Sequence, residues 1–130
     1  MMADPLALSV LPGYLAVCRL EKDEVIPAWA AAGTFFAITR TAEELSVVCA
    51  ENQVPAGIRM EGSWRALKVE GPLDFSLTGI LAELAVVLAR ARISLFALST
   101  YDTDYILVRG QDLSQAVAAL KAAGHSINQG

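Results

Sequence analysis

Apolar and polar positions along the chain divide it into short strands separated by turn formers, with two stretches that switch to helical spacing. Strands are predicted at residues 7–11, 14–20, 35–39, 45–50, 64–70, 93–100 and 105–108. Pro12-Gly13 is a turn pair, so the first two strands are expected to form a hairpin. Ile80, Leu84, Val87, Leu88 and Ala91 share one face of a helix that starts after Thr78, a good N-cap, and ends near Arg90. Arg90 and Arg92 place positive charge at its C-terminal end, where the helix dipole favours it. A second helix follows Asp112, with Gln115 completing a capping-box pattern. It buries Leu113, Val117 and Leu120 and stops at Gly124, and residues 125–128 predict a last strand. The first half has poorer helices: residues 27–32, stopped by Gly33, and one turn at 51–57 broken by Pro55.

The same pattern occurs twice. Phe36-Ala37-Ile38-Thr39 is echoed by Phe96-Ala97-Leu98-Ser99 at an offset of 60, and at the same offset Glu44 meets Asp104 and Val48 meets Val108. Each copy reads strand, polar turn, strand. Such self-similarity points to one small fold used twice. The second half reads β-α-β-β-α-β, the ferredoxin-like order. The predicted class is therefore α+β: two tandem ferredoxin-like units, antiparallel sheets with helices on one face, the first copy degenerate. Gly62-Ser63 is the strongest break, which divides the chain into residues 1–63 and 64–130.

Composition sharpens this picture. The chain is 55% hydrophobic and 18% charged, so a chain of 130 residues has apolar surface to spare for a subunit interface. Net charge is −4 and there is no basic cluster, which argues against nucleic acid as a partner. Cys18 and Cys49 sit in apolar strand-like runs without a CxxC spacing, as buried reduced thiols of a cytoplasmic protein do. The N-terminal residues lack the basic start of a signal peptide, and the longest apolar stretch is interrupted by Glu83, so no membrane span is expected. The single histidine, His125, is read as solvent-exposed near a frayed end. No metal-ligand cluster, nucleophile triad or phosphate loop is legible, so neither a cofactor nor catalysis is expected.

The segment from Phe75 to Ala82, together with Ser99-Thr100-Tyr101-Asp102-Thr103-Asp104-Tyr105-Ile106-Leu107-Val108-Arg109, resembles the small bacterial tandem-ACT proteins similar to the cytosolic arginine sensors of the TORC pathway. Phe35-Phe36-Ala37-Ile38-Thr39 resembles the first-domain counterpart. The resemblance implies a regulatory protein that binds a small molecule, most often an amino acid, where two ACT units meet. It implies that one unit contributes backbone groups of Ser94 and Leu95. The other contributes Leu77, Thr78, Gly79 and Ile80 at the loop–helix junction and Asp104 in the turn. Leu77 stands where the sensors carry an acidic residue. The sensors have four ACT units, so a homodimer of this chain would supply as many.

The residues suit that task. Helix N-terminal N–H groups donate to a carboxylate, Gly79 permits close approach, and Asp104 or Asp102 can hold an ammonium. Each also has a plain structural use: Gly79 in helix packing, Thr78 as a cap, and Asp102 and Asp104 as turn formers. The alternative from another class is a protein-interaction module without a ligand.

Overall fold

The computed structural model describes residues 5–71 and 79–129. The chain divides into two compact units, residues 13–64 and residues 1–12 with 65–130. The strands are β1 (Ala7–Val10), β2 (Leu15–Leu20), β3 (Ala37–Arg40), β4 (Leu45–Ala50), β5 (Met60–Val69), β6 (Leu95–Ser99), β7 (Asp104–Arg109) and β8 (Ser126–Asn128). The helices are α1 (Ile80–Arg90) and α2 (Leu113–Ala122).

In the unit of residues 13–64 the strand order is β3-β4-β2-β5. Its predicted helices are reduced to single 3-10 turns at Ala28–Ala31 and Glu51–Gln53. Its core is Ala16, Cys18, Leu20, Ala30, Leu45, Val47 and Cys49. The thiols of Cys18 and Cys49 lie against each other on neighbouring strands, and both are free. Burial pushes Cys18 up to about 11, with the Cys49 thiol adding to the effect, and burial also raises Cys49.

In the other unit the order is β6-β7-β5-β1-β8. Helices α1 and α2 both pack on one face of this sheet, through Leu84, Leu88, Ala116, Val117 and Leu120 against Leu67, Val69, Ile106 and Val108. The architecture is an ACT-like α+β fold of ferredoxin type, with few helices. The expectation of purely antiparallel sheets does not hold. β1 lies between β5 and β8, antiparallel to the first and parallel to the second. In the ferredoxin order those two strands run in opposite directions, so any strand inserted between them must be parallel to one.

The predicted β1–β2 hairpin is therefore not formed. Pro12-Gly13 turns the chain, but β1 joins β5 and β8 while β2 joins β4 and β5. Leu8 accounts for the difference: it is 1% exposed in the core with Leu67, Val69 and Leu84. Gly62 and Ser63 lie beside the division between the two units, at residues 64 and 65. They form a bulge inside β5, where Leu15 faces Trp64 but Val17 faces Glu61, leaving one extra residue on β5. Ser63 has φ +64, and its N–H donates to Glu51 Oε1 at 2.6 Å. A Cβ at Gly62 would lie 2.9 Å from that same oxygen.

The hairpins show a subtler difference from the sequence reading. Thr41 N–H donates to the Glu44 carbonyl at 2.8 Å, as Thr100 N–H does to Thr103. Arg40 pairs with Leu45, as Ser99 pairs with Asp104. The pleats therefore correspond at an offset of 59, not 60. A slip of one residue exchanges the two faces of a strand. At 59, the core residues Val47 and Cys49 match Ile106 and Val108, also core residues. At 60 they would match Leu107 and Arg109, which lie outside that cluster.

Two further expectations fail for local reasons. Asp112 makes no side-chain cap, because a 3-10 turn at Gly110–Asp112 gives it helical backbone angles rather than the extended ones a cap needs. Gln115 instead donates to the Ala91 carbonyl at 3.3 Å. His125 is 5% exposed rather than frayed. Its Nδ1 accepts the Leu6 N–H at 3.0 Å, which puts the ring proton on Nε2, 3.7 Å from Glu83 Oε2.

Candidate functional site

Gly79 precedes α1 with φ +81, a left-handed conformation that a residue with a Cβ adopts only under strain. Among the described residues nothing lies within 4 Å of where a Cβ would project, so the backbone angle is what calls for glycine here. Its carbonyl accepts the Glu83 N–H at 2.8 Å, the first bond of the helix. Ile80 begins α1 half-buried and packs on the core of its unit. Leu77 and Thr78 lie outside the described residues.

Asp104 begins β7, and its Oδ1 accepts the Ser99 hydroxyl at 2.6 Å. The turn before it is held by Thr100, whose Oγ1 accepts the Thr103 N–H at 3.3 Å. Thr103 is 4% exposed and donates its hydroxyl to the Val69 carbonyl at 2.5 Å. That bond fixes the turn to the end of β5, the strand that leads toward α1. Asp102 and Tyr101 project into solvent, Tyr101 being 82% exposed.

Ser94 is exposed just before β6, and Leu95 is its first residue. Leu95 pairs with Val108, whereas Asp104 faces Ser99 at the other end of the strand. Four residues of strand separate them, about 13 Å at roughly 3.3 Å per residue. Ser94 and Leu95 therefore do not meet Asp104 around one small molecule within a single chain. Among the described residues β6 pairs only with β7, so its other backbone edge faces outward. The strand carries no charged side chain.

The sequence reading missed Ser99 and Thr103, which hold Asp104 and its turn. The signal was a Ser and a Thr at the two ends of a four-residue turn, where short hydroxyls bond locally. Clefts among the described residues lie elsewhere. One of about 610 Å³ is lined by Tyr14, Glu51, Asn52 and Ser63, another of about 460 Å³ by Ser9, Glu70, Ser126 and Asn128. Among the described residues no group of three His, Cys, Asp or Glu side chains can hold a metal, and no helix is long and apolar enough to cross a membrane.

The family model of the ACT domain matches residues 59–122, which run from β5 through α2. The chain is an ACT-domain protein. A second family model, for an N-terminal domain, matches residues 13–57. The bovine protein named cytosolic arginine sensor for mTORC1 subunit 1 is 33% identical over 97 residues, 66% of this chain and 30% of its own length. The human sensor of the same name is 33% identical over 96 residues, so the ACT-domain chain spans less than a third of these relatives. A crystal structure of an Agrobacterium tumefaciens protein is 39% identical with a TM-score of 0.93, covering 98% of this chain and 96% of that one. The ligand-free regulatory subunit of aspartate kinase from Thermus thermophilus shares the fold, with a TM-score of 0.60 at 12% identity, over 90% of this chain and 96% of that one.

Proposed function

We propose that this ACT-domain protein is a cytoplasmic regulator that binds an amino acid and acts by binding rather than by catalysis. It is built of two ACT units in tandem, divided at residues 63 and 64, the first degenerate and its leading strand β1 given to the second. Two chains form a homodimer, and the ligand lies where their second units meet. Leu77, Thr78, Gly79, Ile80 and Asp104 of one chain face it from one side, and Ser94 and Leu95 of the other chain from the opposite side. The observation that carries this reading is the separation of Asp104 from Leu95 along β6, which favours a site shared between copies. The uncharged outer edge of β6 supports it, since such an edge is ordinarily covered by another chain. The relatives named as arginine sensors agree with an amino-acid ligand.

A thermal-shift series with each of the twenty amino acids tests the reading. At least one is expected to raise the melting temperature in proportion to occupancy. Asp104→Ala is expected to abolish that response with circular dichroism unchanged. Native mass spectrometry is expected to give a dimer. No response to any amino acid would overturn the ligand, and a monomer at working concentration would overturn the shared site.

A further inference from the structure

The loop that follows β2 is held by an arginine from another strand. Arg40, the last residue of β3, donates through Nη1 to the Lys22 carbonyl and through Nη2 to the Glu24 carbonyl, the latter at 2.7 Å. The loop is also closed on itself. The Glu24 N–H donates to the Glu21 carbonyl at 3.0 Å, and Glu24 Oε1 accepts the Glu21 N–H at 3.3 Å. Two backbone carbonyls thus point the same way from a small closed turn, at a spacing that one planar guanidinium spans. Glu21, Asp23 and Glu24 keep the surroundings negative. A guanidinium presents its donors as a rigid fork, whereas an ammonium is a compact point charge. The arrangement belongs to this unit alone, because the hairpin register puts Ser99 at the matching position of the other unit.

We propose that the Lys22 and Glu24 carbonyls form a guanidinium-binding site that Arg40 fills from within the chain. Removal of that side chain opens the site to a small guanidinium compound. The inference is independent of what the second unit binds. It makes the first unit permanently occupied by its own side chain, so that its loop is ordered without a ligand.

Hydrogen exchange of Arg40→Ala and Arg40→Lys, at low ionic strength, tests this with methylguanidinium and methylammonium as probes. The hydrogen-bonded amides of Glu21 and Glu24 are expected to exchange roughly tenfold faster in Arg40→Ala, the effect of losing charge-assisted hydrogen bonds that hold the loop. Millimolar methylguanidinium is expected to restore protection saturably and methylammonium to leave it unrestored. Arg40→Lys is expected to behave as Arg40→Ala, and the unsubstituted chain to respond to neither probe. Amides of β4 report that each variant is folded. Unchanged exchange in Arg40→Ala, protection retained in Arg40→Lys, or equal restoration by both cations would each overturn the site. Failure of methylguanidinium to restore protection would reduce Arg40 to a structural tie.

Discussion

The hairpins β3–β4 and β6–β7 share a four-residue turn and differ in what ties it to the rest of its unit. In the first, Arg19 on β2 donates to the Glu43 carbonyl at 3.0 Å, at the surface. In the second, the buried Thr103 hydroxyl reaches the Val69 carbonyl of β5. One turn is anchored by a long charged side chain in solvent, the other by a short hydroxyl inside. At the strand end, Arg40 in the first hairpin closes a neighbouring loop, while Ser99 in the second donates to Asp104 within its own hairpin. Two hairpins of matching register are thus fastened in two ways. The outer fastening spends its polar groups on its own loops. The inner one leaves a carboxylate at the sheet end with a single hydroxyl partner among the bonds described.

The largest effect that can break this comparison comes from exchanging the residues that correspond at offset 59. Leu45 is fully buried where Asp104 is half-buried. Leu45→Asp is expected to cost roughly 4 kcal/mol or more, as an unpaired buried carboxylate does, whereas Asp104→Leu is expected to stay within about 1 kcal/mol. Urea unfolding of both variants decides it, and equal costs would restore the offset of 60. The cores should differ next in their response to alkali, since Cys49 corresponds to Val108. Cys18 is raised from 9.0 to about 11 in the folded chain. Between those values the unfolded chain has lost a proton that the folded chain keeps. Stability is therefore fully present below pH 9 and falls as pH rises toward 11, by up to about 2 kcal/mol. Cys18→Ala should remove that part of the decline in denaturant titrations at pH 8 and pH 10.5. Thr103→Val preserves shape but strands the Val69 carbonyl, with an expected loss of about 1–2 kcal/mol in the same assay. The smallest effect tests what the hairpins share: Thr41→Ala and Thr100→Ala should each cost roughly 0.5–1 kcal/mol and agree with each other.

How far the sequence reached follows from the range of each interaction. α1 was legible because Ile80, Leu84 and Leu88 repeat at helical spacing, and the strands because their apolar runs end at turn formers. The hairpin turns were legible from their polar residues. Register was not, because the echo aligns identities such as Phe36 with Phe96, while the pleat is set by Thr41 and Thr100 closing equivalent turns. The destination of β1 depends on partners at residues 67–69 and 126–128, which no local pattern names. His125 looked exposed because its neighbours in sequence are polar, yet Leu6 and Glu83 enclose it from far along the chain. At the candidate site Gly79 and Asp104 stood out as residue types. The Ser99 contact to Asp104 depended on the strand pairing.

The placing of β1 has a temporal consequence. Residues 7–10 leave the ribosome before β5 and β8, the strands that form the slots on either side of them. They can zip onto β5 once residue 69 has emerged, and must then wait for residue 128 to cover the second edge. Until then the growing chain carries a strand with an open side next to a half-built apolar face, the state in which nascent chains pair wrongly. Loop closure over more than a hundred residues is slow compared with the local hairpins. Completion of this unit is therefore timed by β8, and a synthesis pause before residue 126 would hold its sheet in its most adhesive form.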